Sequence, residues 1–396
     1  MTEKTFLKNR QFWLMNISAL FFFMSFNMIL PELPDYLKFI GGKDINPGYI
    51  IAFFTLFAML SRPISGKLTD TIGRIPVMVF GAAVACVSTS LYPVWTSIFG
   101  FFFLRCFHGM STGFKPIATA AYLSDIVPYN QRGEAMGIMG TLISLGMAGG
   151  PVLGSFILEN WGFTPMFIVS GIISLLSVII FGRMKETLPK ENRKKISLKL
   201  LKIKKTDFFE PRVLFPSFIF LCNVACYGII VTLVPDFQES LNIENKGIFF
   251  FYMLIASILV RIFAGKISDR YGRIIVVKWG MILLVISMIM IGRSTTAIFL
   301  YFSAFVYGIA RGIYAPTIYA WVSDLSSFKN RGRAFSTMYI LFELGITLGA
   351  LISGFYYNHK IENIPRAFYG AAFTTFLALI LLILLARVVK QKKIIE

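Results

Sequence analysis

Twelve apolar runs, most of them twenty residues or longer, limit what this chain can become. They lie at roughly 13–37, 48–68, 74–93, 97–121, 133–158, 165–185, 213–236, 247–268, 274–293, 296–321, 333–357 and 366–388. A helix rises about 1.5 Å per residue, so each run is long enough to cross a bilayer. Lipid gives exposed backbone no hydrogen-bond partner, which leaves helices or a closed barrel. The runs are continuous and do not alternate, and that excludes a barrel. The expected fold class is therefore all-α, a polytopic membrane protein of twelve transmembrane helices in the lipid bilayer. The first run is longer than the apolar core of a signal peptide and reads as the first span.

Charge supports the same reading. The net charge of +19 would suit a nucleic-acid partner if it were spread over a soluble surface, but most of the 39 Lys and Arg fall on loops that share one face of the membrane. That bias orients the chain with both termini in the cytoplasm, in the cell (inner) membrane, and no nucleic-acid partner is expected. The run "RKKISLKLLKIKK" (Arg193–Lys205) reads as a basic linker with a short interfacial helix. Cys86, Cys106, Cys222 and Cys226 all lie inside apolar runs, so no disulfide framework is indicated. Nothing beside Cys222 and Cys226 completes a metal site. With no metal, cofactor, nucleotide fingerprint or nucleophile–base grouping, the chain reads as a non-enzyme.

One charged turn is written twice. "GKLTDTIGR" (Gly66–Arg74) returns as "GKISDRYGR" (Gly265–Arg273), 199 residues later. At the same offset Arg62 meets Arg261, Gly81 meets Gly280, and "YLSDIVPYNQRGEA" from Tyr122 meets "WVSDLSSFKNRGRA" from Trp321. Gly146 and Gly150 likewise meet Gly345 and Gly349. Register held this long means internal duplication. The expected organisation is a six-helix bundle over 1–185, a basic linker over 186–212 and a second bundle over 213–396, pseudo-symmetric and working as a single chain. Two such bundles can move a solute by rocking about a central path.

The repeated turn has a physical logic. Gly66 and Gly73, with Gly265 and Gly272, permit close helix approach and a tight reversal. Asp70 is expected near the start of the third helix, where the dipole favours negative charge, with Arg74 four residues on and on the same face. In "GMAGGPVLGS" (Gly146–Ser155), Gly146, Gly150 and Gly154 form a smooth strip for a neighbouring backbone, and Pro151 can bend the helix. Ala350 stands where Pro151 would recur, so the strip is imperfectly repeated.

Ionisable residues inside the apolar runs are functional candidates because lipid makes them costly. The fourth run carries Arg105, His108, Thr112 and Lys115 along one polar stripe, which is expected to face into the bundle. The tenth carries Arg311 between Tyr307 and Tyr314, and the eleventh carries Glu343. The first supplies Asn27, Glu32 and Asp35, and the seventh Asn223 and Tyr227.

"GKLTDTIGR" resembles the signature between helices 2 and 3 of the major facilitator superfamily, G-x-L-x-D-x-x-G-R. "LRCFHGMSTG" (Leu104–Gly113) resembles that family's helix 4 motif, an Arg followed four residues later by Gly. "GMAGGPVLGS" resembles the helix 5 motif of its drug:proton antiporter group. The resemblance implies that Asp70, Arg74 and Asp125, with their counterparts Asp269, Arg273 and Asp324, form a charge latch holding the outward-open state. It also implies a proton-coupled exporter of small amphipathic drugs or metabolites. The proton sites expected are Glu343, Glu32 and Asp35, with Arg105 tuning Glu32 or Asp35. Lys115 and Arg311 depart from the drug-antiporter pattern by adding cations. They keep an alternative open, a proton-linked carrier of an organic anion, with import as well as export open to it.

Overall fold

The computed structural model describes residues 5–43, 45, 48–195, 197, 202, 208–243, 247–357 and 360–395. Twelve long helices follow in chain order: α1 (Arg10–Phe39), α2 (Gly48–Thr71), α3 (Arg74–Leu91), α4 (Ile98–Ile126), α5 (Arg132–Trp161) and α6 (Phe163–Phe181), then α7 (Leu214–Ser240), α8 (Gly247–Tyr271), α9 (Arg273–Gly292), α10 (Ala297–Leu325), α11 (Arg331–Tyr357) and α12 (Asn363–Ile395). Among the described residues there is no strand. The interfacial helix expected within Arg193–Lys205 falls mainly outside the described residues.

Eleven of these helices are apolar enough along their length to cross a membrane; α4 is long enough but more polar. The reason lies in its surroundings. Every residue from Ser111 to Ser124 is buried, so α4 meets protein along that stretch and has no need of a lipid-compatible surface. Large side chains on other helices, among them Val152, Ile298 and Phe355, are exposed, as lipid-facing positions should be.

The chain forms two compact units. The first comprises Met1–Pro128, Met139–Pro211 and Ser326–Thr337; the second comprises Tyr129–Ile138, Arg212–Leu325 and Met338–Glu396. The beginning of α5 thus belongs to the second unit, and the beginning of α11 to the first.

Within the first unit α4 packs on α2 and α3, and α6 on α1 and α3; in the second, α10 packs on α8 and α9, and α12 on α7 and α9. The pairs match under the 199-residue offset, down to single glycines. Gly109 and Gly113 of α4 admit the backbone of α2 at Phe54 and Ala58, while Gly308 and Gly312 of α10 admit α8 at Met253 and Ser257. Between α1 and α6 two serine pairs replace glycine: Ser18 and Ser177 hydroxyls lie 2.7 Å apart, and Ser25 and Ser170 3.0 Å apart. Small hydroxyls that satisfy one another draw apolar helices together where no hydrophobic force distinguishes neighbour from lipid. One end of the first unit closes over Met28, Leu33, Tyr36, Tyr92, Phe101 and Phe167. There Tyr36 donates its hydroxyl to the Tyr92 carbonyl at 2.6 Å.

The strip on α5 meets α1. A methyl placed on Gly150 would stand 2.5 Å from the Met24 carbonyl oxygen, whereas one on Gly149 would meet nothing within 4 Å. Overpacking of this kind costs about 1–3 kcal/mol, while Ala in place of Gly in an open helix gains about 1 kcal/mol. The Gly150→Ala protein is expected to melt several degrees lower in a detergent thermal-shift assay, and Gly149→Ala at or above the unsubstituted protein. Equal midpoints for the two would mean that α1 and α5 are not packed along this strip.

Candidate functional site

The repeated turn builds two clusters of the same design, one in each unit. Asp70 lies at the end of α2, not at the start of α3, and the helix start it serves is that of α11. Its two carboxylate oxygens accept from the Gly332 and Arg333 backbone amides at 2.7 and 2.9 Å. In the second unit Asp269, at the end of α8, accepts from the Gly133 and Glu134 amides of α5 at 2.8 and 2.9 Å. The first amides of a helix have no partner within it and carry the positive end of its dipole, so a carboxylate placed there satisfies both. Gly66 and Gly332 approach backbone to backbone, as do Gly265 and Gly133, which is the closeness these caps require.

Arginines tie each cap to a second carboxylate. Arg74, fully buried, donates from Nε to Asp125 at 2.9 Å and from Nη1 to the Thr69 carbonyl at 2.7 Å, while lying 3.7 Å from Asp70. Asp125 also pairs with Arg331 and accepts from the Thr187 hydroxyl at 2.6 Å. The second cluster repeats this. Arg273 donates to Asp324 at 2.8 Å and to Asp269 at 2.6 Å, and Arg132 reaches Asp324 at 3.2 Å. All five of Asp70, Arg74, Asp125, Arg331 and Arg132 are nine-tenths or more buried at the side chain, so these pairs are far better shielded than surface salt bridges. Gly73 and Gly272 turn with φ of +128° and +94°, a region that favours glycine.

A further carboxylate completes the first cluster. Glu186 accepts from the Arg74 and Ile75 amides at 3.1 and 2.9 Å, capping α3 from beyond α6. Its place far along the chain gives no sequence signal. Arg132 and Arg331 did carry one, since each opens a segment that repeats at the 199-residue offset.

The membrane-embedded candidates fall into separate groups. In the first unit Arg105 donates from Nε to the Ile50 carbonyl at 3.1 Å and stacks 4.5 Å from the Phe54 ring, with Tyr92 beside it. His108 is edge-on to Phe26 and Phe54 at 5.6 and 5.7 Å. Thr112 bonds back to Gly109 of its own helix at 3.0 Å, and Asn27 to Phe23 at 2.8 Å. Lys115 points elsewhere on α4: it donates to the Ser18 carbonyl at 3.1 Å between the rings of Phe22 and Phe181. Glu32 accepts from the Ser155 hydroxyl of α5 at 2.6 Å, at the end of the glycine strip. Asp35 sits in an exposed pair with Lys38 at 2.8 Å. Among the described residues, Arg105 has Ile50, Phe54, Tyr92, Cys106 and His108 beside it, and no interaction with either carboxylate.

In the second unit Arg311 lies 4.3 Å from the Tyr227 ring, with Tyr307 and Tyr314 beside it. Asn223 is buried one turn from Tyr227, and Glu343 is half-buried on α11. Sequence reading left Arg261 unassigned, although it is the repeat partner of Arg62. It lies next to Arg311.

A model of the Major Facilitator Superfamily matches residues 15–270 and 246–395. Multidrug resistance protein 2 of Bacillus subtilis is 23% identical over 383 residues, covering 89% of this chain and 94% of that protein. The multi-drug resistance efflux pump PmrA of Streptococcus pneumoniae is 26% identical over 336 residues, covering 83% of this chain and 84% of the pump. Among solved structures, the human organic anion transporter MFSD10 aligns with a TM-score of 0.77 at 20% identity, over 94% of this chain and 99% of that one.

Burial makes the carboxylates of the two clusters unequal in value to those on the surface. Removing one partner from a buried pair strands a charge and costs about 3–5 kcal/mol, whereas an exposed pair contributes about 0–1 kcal/mol. Asp125→Asn is therefore expected to lower the detergent melting midpoint strongly, while Asp35→Asn leaves it unmoved. A small effect of Asp125→Asn would show that Arg74 and Arg331 find other anions.

Proposed function

Because this chain belongs to the Major Facilitator Superfamily, we propose that it is a proton-coupled exporter of small amphipathic molecules that works by alternating access. It is a multi-pass membrane transporter and not an enzyme. The export reading draws on relatives named for multidrug resistance and multidrug efflux, and on the glycine strip of α5.

The observation that carries the mechanism is the matched pair of carboxylate caps, Asp70 on α11 and Asp269 on α5. A carboxylate held at a shielded helix start contributes up to about 2 kcal/mol. Two caps then give roughly 4 kcal/mol, approaching the 5.5 kcal/mol or so that moves a two-state equilibrium from 1:99 to 99:1. That is enough to hold one state and small enough to be overcome in each cycle. In this reading the clusters latch the cytoplasmic side while the outer side is open, and both caps release when the cycle turns.

Protons supply the drive. Glu343 and Glu32 are the assigned carriers, each a half-buried carboxyl on a membrane-crossing helix. Glu32 holds Ser155 on α5, so a change of its charge acts where α1 meets the glycine strip. Asp35, paired with Lys38 on an exposed surface, has no part in this assignment. The protein is assigned to the inner membrane as a single working chain, with its basic loops and both termini in the cytoplasm.

Export of a fluorescent amphipathic dye from everted vesicles tests both halves of the proposal. Asp70→Asn and Asp269→Asn are each expected to cut the rate by about 10-fold or more, as loss of about 2 kcal/mol from one state implies. Glu343→Gln should bind dye yet no longer accelerate when a pH gradient is imposed. Undiminished export by both aspartate variants would remove the latch, and dye-driven proton release in both Glu343→Gln and Glu32→Gln would remove the assigned carriers.

A further inference from the structure

The second unit holds two arginines together inside the membrane-crossing helices. Arg261 of α8 and Arg311 of α10 are electrostatic neighbours, and Tyr314 stands beside both. Arg261 donates to the Ser257 hydroxyl at 3.2 Å and has Tyr319 next to it. Around Arg311 the other groups are Tyr227, stacked at 4.3 Å, and Tyr307. Like charges that act on each other away from bulk water raise each other's energy, and a tyrosine face offsets only part of it.

The polar groups around the pair are also incompletely used. Tyr307, Tyr314 and Asn223 are fully buried. The Tyr307 and Tyr314 hydroxyls are turned to each other, and both polar atoms of the Asn223 side chain lack a partner among the described residues. Buried polar atoms are normally satisfied, so an unpartnered amide and a tyrosine pair beside two guanidiniums mark a place built for a guest that accepts hydrogen bonds. The guest's charge follows from the arginines. A planar carboxylate or a sulfonate can take parallel N–H bonds from a guanidinium fork and neutralise both cations. The body of the guest follows from the walls: Phe220 lies 6.3 Å from Tyr314, 5.8 Å from Tyr319 and 5.2 Å from Phe342.

We propose that Arg261 and Arg311, with Tyr307, Tyr314 and Asn223, form a subsite for the acidic group of an amphipathic organic anion whose aromatic body lies on this aromatic wall. The inference rests on the transport reading for its cargo role, but binding at the subsite can be measured without transport.

Naphthalene-2-carboxylate and its neutral amide differ in charge and little else, and serve as probes. With the purified full chain in detergent, the carboxylate is expected to raise the melting midpoint by about 2–4 °C near 100-fold excess over its Kd, and the amide to do so only at far higher concentration. Arg311→Gln and Arg261→Gln should each weaken the carboxylate by about 10-fold or more, and Tyr314→Phe, which removes only a hydroxyl, by a few-fold. Equal action of acid and amide, or undiminished binding in both arginine variants, overturns the subsite. Stabilisation by phosphatidylglycerol with none by the carboxylate also overturns it, since the acidic group recognised would then belong to lipid. Counterflow in proteoliposomes separates the two readings. Arginine-dependent binding without counterflow defeats the transport reading and leaves the subsite standing. Counterflow of the carboxylate that is indifferent to both arginines defeats the subsite and leaves transport standing.

Discussion

A helix that begins beside protein must find partners for its first amides, and in this molecule α5 and α11 find them in carboxylates from helices far away in sequence. Asp269 serves α5 and Asp70 serves α11, each with two short bonds. The rest of the charged architecture depends on these contacts. A carboxylate at the end of its own helix faces the unfavourable pole of that helix, so Asp70 on α2 gains from its neighbour what it loses at home. Arg74 and Arg273 then balance the charge, and Asp125 and Asp324 balance the arginines. Each cluster needs a residue from the other half of the sequence: Arg331 joins Asp125 and Arg132 joins Asp324. The beginnings of α5 and α11 fall into opposite units for this reason.

The remaining buried cations are handled differently from one another. Lys115 is enclosed by Phe22 and Phe181 and donates to a carbonyl of α1, an arrangement that packs a helix junction. Arg105 spends Nε on the Ile50 carbonyl and stacks on Phe54, which ties α4 to α2, while its buried Nη1 and Nη2 lie beside Tyr92. Arg311 has the Tyr227 ring and hydroxyl and a second arginine as neighbours, and no carboxylate stands beside it among the described residues. A stack on an aromatic ring is adequate for one cation at a helix contact, worth about 2 kcal/mol or more when desolvated, but does not resolve two cations side by side.

Much of this was legible in the sequence, for identifiable reasons. The length and continuity of the apolar runs fixed twelve helices, because lipid leaves backbone no other choice. The 199-residue offset pointed to paired helix contacts, and Gly109 with Gly308 and Gly113 with Gly312 repeat the same close approaches. Contacts made across long stretches of chain were not legible. Nothing near Glu186 announces that it caps α3, and nothing near Asp70 announces that its amides belong to α11. The polar stripe on α4 was visible, but not that Lys115 and Arg105 point to different neighbours, because rotation about a helix axis is settled by packing. Asp35 and Glu32 look alike in sequence; one meets Lys38 on an exposed face and the other meets Ser155. Arg261 was visible only as an echo of Arg62, and its closeness to Arg311 depends on how α8 lies against α10.

That closeness gives α8 two tasks on one face. Arg261, Gly265 and Asp269 are spaced by four, so they lie along one side of the helix over about 12 Å. Arg261 lies beside Arg311 and Tyr314, Gly265 touches the backbone of α5 at Gly133, and Asp269 caps the start of α5. The Arg261 carbonyl in turn lies against Gly137, one turn further along α5. A helix face packed this closely is stiff, so a displacement of the α8 backbone at Arg261 is carried to the carboxylate that holds α5. Neutralising the arginine pair changes the electrostatic energy of the same rigid element whose far end carries the cap. Coupling between two sites requires an element that both of them touch and can bias, and this face of α8 is the element that lies beside both.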